Sequence, residues 1–192
     1  MKRIGKISLL LSIAVTASIQ LYSQEIKKIE SSKKLTIGIE SEVMCYINKG
    51  YHGSFWVGMN GIRSRFVFAK STFPSSFAPD GFKNLTSTFY EMEVDFFIGK
   101  QKREYKGLWI AAGLGLTNQS IESKSTGLKG DTNLFDIHSG AGYAISLYKA
   151  LYINPWIGID IHTNTKNISV GNETWKPNII DIVGGAKIGY RF

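Results

Sequence analysis

The sequence predicts an all-β chain closed into an eight-stranded, antiparallel, up-and-down barrel, and three observations predict it. Beyond Lys34 apolar residues recur at every second position almost throughout, with no stretch of helical period and no long repeat. The connections alternate between short turns and long loops, the rhythm of a meander. Gly supplies 20 of the 192 residues against four Pro, which suits strands with tight turns and close backbone contacts. A mean hydropathy of −0.06 excludes a bundle of membrane helices, and 43% hydrophobic with 12% aromatic residues excludes a disordered chain.

Residues 1–24 read as a secretory signal peptide. The start is basic (Lys2, Arg3, Lys6), an apolar stretch runs from Ile7 to Ala17, and small residues place cleavage between 17 and 24. Residues 25–33 are charged and aperiodic, a flexible lead. Without Lys2, Arg3 and Lys6 the net charge falls from +8 to +5, and with no basic helix to carry that surplus no nucleic-acid partner is expected. The single Cys45 excludes an internal disulfide and a cysteine-based zinc site.

The barrel is predicted over residues 34–192. Leu35, Ile37, Ile39 and Val43 alternate with Thr36, Gly38, Glu40 and Glu42. Phe55 and Val57 alternate with Ser54, Trp56 and Gly58, and Asn60-Gly61 is the dipeptide a type I′ hairpin prefers. Ile62, Ser64, Phe66 and Phe68 then share one face, with Arg63 and Arg65 on the other. Tyr90, Met92, Val94, Phe96 and Ile98 back onto Glu91, Glu93 and Asp95. The fifth strand carries Leu108, Ile110, Ala112, Leu114 and Leu116, and the sixth Phe135, Ile137, Ala141, Tyr143, Ile145 and Leu147. The seventh runs through Leu151, Ile153, Pro155, Ile157, Ile159 and Ile161; Pro155 argues against a central strand of an ordinary sheet. Ile180, Ile182, Ala186, Ile188, Tyr190 and Phe192 face away from Asp181, Gly185, Lys187, Gly189 and Arg191 in the last.

Short connections fall around Met59-Asn60, at Lys100 to Lys106 and at Tyr148 to Ala150. Long ones span Ser71 to Leu85, Ile121 to Asp131 and Thr163 to Asn178. With both ends on the short-turn side the strand count is even, and it is eight if the first segment divides near Tyr46 to Tyr51. The polar face decides what surrounds the barrel. It is mostly Gly, Ala, Ser and Thr with a few charges of both signs, a set that fits a narrow eight-stranded interior rather than a wet exterior. The other face carries no acidic residue on any strand, as hydrocarbon requires: Arg or Lys at the midplane costs about 2–4 kcal/mol. A transmembrane β-barrel follows, since closure leaves no edge that lipid would have to hydrogen-bond.

From Lys34 to Phe192 the chain resembles the small bacterial outer-membrane β-barrel proteins, the porin-like family of the OmpA/OmpX type. The most specific match is the last strand, where Ile188, Tyr190 and Phe192 alternate up to a terminal Phe, like the signal read by the barrel-assembly machinery. Lys187 departs from it, standing where that signal often has Gly. The resemblance implies an outer-membrane location, contact with outer-membrane lipids and lipopolysaccharide, and a monomer; with the chain stopping at Phe192 it implies no peptidoglycan-binding domain.

The foremost candidate site is a lumen charge network of Arg63, Arg65, Glu91, Glu93, Asp95, Asp181, Lys187 and Arg191, which Glu40, Glu42, Asp136 and Asp160 could extend. Buried charges need partners, so a salt-bridge plug and a closed lumen are expected, with a structural or surface-interaction role; the alternative is a narrow porin for small solutes or ions. A lipid A-modifying enzyme is a weaker alternative. Ser139 falls on the face opposite His138, and His162-Thr163-Asn164 lacks the Ser that the deacylase pattern carries, so no catalytic residue is assigned. His138, His162 and Asp136 read as hydrogen-bonded lumen groups, and neither a metal nor a cofactor is expected. Phe73, Phe77, Phe82 and Trp175, beside Pro74, Pro79 and Pro177, are candidates for recognition of an extracellular protein or glycan. Lys124, Lys129, Lys166 and Lys176 are placed to meet anionic lipid phosphates.

Overall fold

The computed structural model describes Leu35 to Phe192. The expected signal peptide and lead lie outside the described residues. Strand β1 (Thr36–Glu42) leads through a short helix α1 (Val43–Ile47) to β2 (Tyr51–Met59) and β3 (Ile62–Thr72). Then follow β4 (Phe82–Phe97), β5 (Gly107–Ser123), β6 (Lys129–Tyr148) and β7 (Leu151–His162). A small hairpin, β8 (Ile168–Val170) and β9 (Glu173–Trp175), precedes β10 (Ile180–Arg191). The hairpin forms its own two-stranded sheet, and the other eight strands close into one barrel in which every neighbouring pair is antiparallel. Closure is made by β1 on β10, with Ile39 opposite Tyr190 and Ser41 opposite Ile188.

Local chemistry accounts for the joints. Asn60 and Gly61 have φ of 57° and 86°, the left-handed pair that lets a two-residue turn match strand twist, and Met59 lies opposite Ile62 across it. Pro155 sits inside β7 and is accommodated by a lapse in one ladder. The β6–β7 pairing goes from Gly142 opposite Trp156 directly to Ile145 opposite Ile153, so the missing N–H falls where pairing has lapsed. On its other side Pro155 still lies opposite Ala186.

Several boundaries differ from the sequence expectation. Val43 belongs to α1, whose five residues mark the predicted division of the first segment. Strand β4 begins at Phe82, and β5 and β6 run on until only residues 124–128 connect them. The reason is the environment. Past Leu116 the outward positions turn polar, with Asn118 opposite Asn133 and Ser120 opposite Asp131. The ladder therefore continues after the apolar alternation has stopped. That alternation measures the lipid-facing belt, not the strand.

The belt itself is continuous. Ile39, Phe55, Phe66, Met92, Ile110, Leu114, Ile137, Ile157, Ile182 and Ile188 are all exposed, with Ile182 at 78% and Ile157 at 62%. A water-soluble barrel of this size would not leave so wide an apolar band in solvent. At the long-loop end a second, smaller core forms where Val170 and Trp175 of the β8–β9 hairpin pack on Phe82 and Ile121.

Candidate functional site in the barrel interior

Registers stack inward residues into rows around the wall. One row runs Arg65, Glu93, Gly113, His138, Asp160 and Asp181 through β3, β4, β5, β6, β7 and β10. The row on its long-loop side runs Val67, Glu91, Gly115, Asp136 and His162. On the short-turn side Arg63 lies opposite Asp95.

The centre is a connected ionic core. Arg63 donates from Nε to Asp95 Oδ2 (2.5 Å) and from Nη1 to Glu40 Oε1 (2.8 Å). Arg65 donates from Nη1 to Glu40 Oε2 (3.0 Å), and from Nη2 to Glu93 Oε2 (2.5 Å) and Asp95 Oδ1 (3.1 Å). Glu40 also accepts from Tyr152 Oη (2.8 Å) and Asn154 Nδ2 (3.1 Å). The indole N–H groups of Trp56 and Trp109 donate to Tyr152 Oη (2.9 Å) and Asn154 Oδ1 (2.7 Å). The Arg63 guanidinium lies 5.2 Å from the ring centres of both Trp56 and Phe97, and that of Arg65 5.3 Å from Trp109. Such contacts suit a cation whose hydration has been removed.

Small residues make room for these rings. A Cβ on Gly38 would lie 2.4 Å from the Trp56 ring, one on Gly142 2.4 Å from Trp109, and one on Gly189 2.2 Å from Tyr152. The Gly-rich inner face is therefore the complement of the inner aromatics.

The predicted network divides into separate groups. Arg63, Arg65, Glu93 and Asp95 meet at the centre, around Glu40. Glu91 lies opposite Val67 and has neither a hydrogen bond nor an ion pair among the described residues. Asp181 belongs to a second cluster, in which His162 contacts Asp136 Oδ1 through Nδ1 (2.5 Å) and Asp181 Oδ2 through Nε2 (3.0 Å). Thr117 donates a short bond to Asp136 there. Lys187 stands 4.0 Å from the ring centre of Trp156, whose N–H donates to Glu42 Oε2 (2.8 Å). Arg191 lies at the short-turn end, donating to the carbonyls of Glu104 and Tyr105 and to Ser146 Oγ. Trp56, Trp109, Tyr152 and Asn154 share the inward parity of their strands, but nothing local in the sequence joins them to the ionic core.

Inward carboxylates outnumber inward cations. Glu40, Glu42, Glu91, Glu93 and Asp95, with Asp136, Asp160 and Asp181, face Arg63, Arg65, Lys187 and Arg191. His138 bonds through Nδ1 to Asp160 Oδ1 (2.6 Å), and Ser139 is exposed on the lipid side. Outside the wall, burial pushes the Cys45 thiol up to about 11, so it is no thiolate nucleophile at neutral pH. Above the belt, hydrogen bonds from Asn84 and Lys83 hold the Glu122 carboxyl below its usual range.

At the long-loop end the expected exposed aromatics divide. Phe77 is exposed and Phe73 half-buried, their ring centres 6.5 Å apart. Phe82 and Trp175 are buried instead, at 3% exposure each, because the β8–β9 hairpin folds onto the extended β4 and β5. Lys124, Lys129, Lys166 and Lys176 are all exposed. Ile188, Tyr190 and Phe192 point outward from β10, and the rings of the last two are 5.0 Å apart.

A closed eight-stranded barrel with an apolar outer belt and a filled polar interior is a transmembrane β-barrel of the bacterial outer-membrane type. Among solved structures, a major outer membrane protein from Thermus thermophilus aligns over 83% of this chain and 100% of its own, with 10% identity and a TM-score of 0.52, a likeness of fold. The N-terminal β-barrel domain of Pseudomonas aeruginosa OprF aligns over 82% and 96%, with 12% identity and a TM-score of 0.48. The Yersinia pestis outer membrane protein Ail aligns over 84% and 100%, with 15% identity and a TM-score of 0.42. No protein-family model and no curated protein matches the chain.

Proposed function

We propose that this protein resides in the bacterial outer membrane as a closed barrel, and that its role is structural or one of surface interaction rather than transport. The observation that carries the reading is the plug: Trp56, Trp109, Arg63, Arg65, Tyr152 and Asn154 fill the centre, each at 2% exposure or less. Eight strands leave an interior only just wide enough for side chains, and here large ones occupy it. The long loops face the outside of the cell, where the four exposed lysines meet lipopolysaccharide phosphates and Phe77 offers an apolar contact to a protein or glycan. The outward Ile188, Tyr190 and Phe192 serve as the signal for the barrel-assembly machinery, and the barrel works as a monomer.

A planar-bilayer recording tests the closed lumen. The purified protein is expected to give no stable conductance steps. Reproducible, ion-selective steps from the wild-type protein would establish the narrow porin instead.

A further inference from the structure

We propose that the barrel interior holds a divalent transition-metal ion of the zinc class, ligated by Glu91, His138 and Asp160. One donor atom from each residue lies within 4.8 Å of the other two. An ion about 2.1 Å from each donor keeps its donors no more than about 4.2 Å apart, so closure by a few tenths of an ångström completes the set.

Backbone without side chains brings them together. Glu91 and His138 stand on β4 and β6, with β5 between them, and β5 offers only Gly113 and Gly115 at the intervening inward positions. A Cβ on Gly115 would lie 2.8 Å from Glu91 Cγ, so the glutamate stem occupies the room that a side chain would fill. On the other side of the ring, a Cβ on Gly140 would lie 3.0 Å from His138 Nε2 and one on Gly158 3.0 Å from Cε1.

The groups are also chemically incomplete. Glu91 is 7% exposed and makes no hydrogen bond or ion pair among the described residues. His138 is 2% exposed and turns Nδ1 to Asp160 Oδ1 (2.6 Å), so Nδ1 is the ring nitrogen that shares an ion with Asp160, the ion replacing the proton of that hydrogen bond. Buried charge without a partner is strongly unfavourable, and both central arginines are committed elsewhere. A dication at His138 would also offset part of the carboxylate excess. One imidazole with two carboxylates suits zinc and its borderline neighbours, whereas calcium and magnesium take oxygen ligands. Asp160, whose side chain is 14% exposed, gives access from solvent.

The test is calorimetric titration of zinc chloride into the untagged, full-length protein folded in detergent micelles, with folding followed by the gel shift between unboiled and boiled samples. One equivalent is expected to bind. Glu91→Gln changes no hydrogen bond and should keep the folded band while losing at least ~10-fold in affinity, the scale on which metal sites respond even to changes beyond their ligands. Asp160→Asn should weaken binding likewise, and Glu122→Gln, above the belt, should leave it unchanged. Folded wild-type protein that takes up no zinc overturns the proposal. So does wild-type affinity in both Glu91→Gln and Asp160→Asn, which places any zinc on the outer surface.

Discussion

Arg65→Met is expected to lower the stability of the folded barrel by ~3–5 kcal/mol, the range found when one member of a buried ion-pair network is removed and the other charges stay. Arg65 is 2% exposed and serves three carboxylates, those of Glu40, Glu93 and Asp95. Arg63 pairs with two of these, Glu40 and Asp95, so losing Arg65 removes the guanidinium that holds Glu93. The apolar replacement keeps most of the volume, so the loss reports charge rather than packing. Arg65→Lys retains the charge but not the planar fork that holds separate carboxylates at fixed angles, and should fall between. The measurement is the denaturant midpoint of the gel shift between folded and unfolded bands. For scale, Lys83→Ala removes the part-exposed pair with Glu122 (3.0 Å), a solvent-screened contact whose loss should hardly move the midpoint. If Arg65→Met moves the midpoint no more than Lys83→Ala does, the ionic core is not what holds the interior.

Gly142→Val should destabilise by at least ~2 kcal/mol, within or above the range for overpacking a filled core. The new Cβ would lie 2.4 Å from Trp109 and 2.7 Å from the Pro155 carbonyl oxygen. The indole cannot swing away, because its N–H is bonded to Asn154 and its face lies against Arg65. In a Trp109→Leu background the same substitution should cost much less, since the two changes share one space. Equal losses in both backgrounds would show that Gly142 matters for the backbone and not for the ring.

Much of the fold was legible because a transmembrane barrel writes its two environments at alternate positions. Ile37, Ile39, Phe66 and Met92 face outward on the same parity that sends Glu40, Arg65 and Glu93 inward. Which cation meets which carboxylate is another matter. Alternation places Arg63, Arg65, Glu91, Glu93 and Asp95 on one face, but register decides that Glu91 meets Val67 rather than an arginine. The hub of the core, Glu40, lies on β1 and reaches Arg63 and Arg65 on β3 across the whole of β2, a contact set by barrel diameter and invisible to any local pattern.

Two of the loop aromatics are buried for a related reason. Phe82 and Trp175 stand beside prolines, where both exposure for recognition and packing of loop on loop were open, and β8 and β9 have three residues each, too few for a period to register. Their burial depends on a hairpin laying itself over strands that outlast the lipid belt. The same limit hid residues 121–123 and 129–131, strand by pairing and loop by composition.

The placement of the indoles has a spectroscopic consequence. The chain has four tryptophans. Trp56 and Trp109 lie in the central plug, Trp156 under Lys187, and Trp175 in the loop-end core. None belongs to the outward belt, where tyrosine and phenylalanine take the interfacial positions that tryptophan often holds in membrane barrels. Intrinsic fluorescence from this protein therefore speaks for its interior and loop-end core, and quenchers attached to lipid tails are separated from every indole by a wall of backbone and side chains.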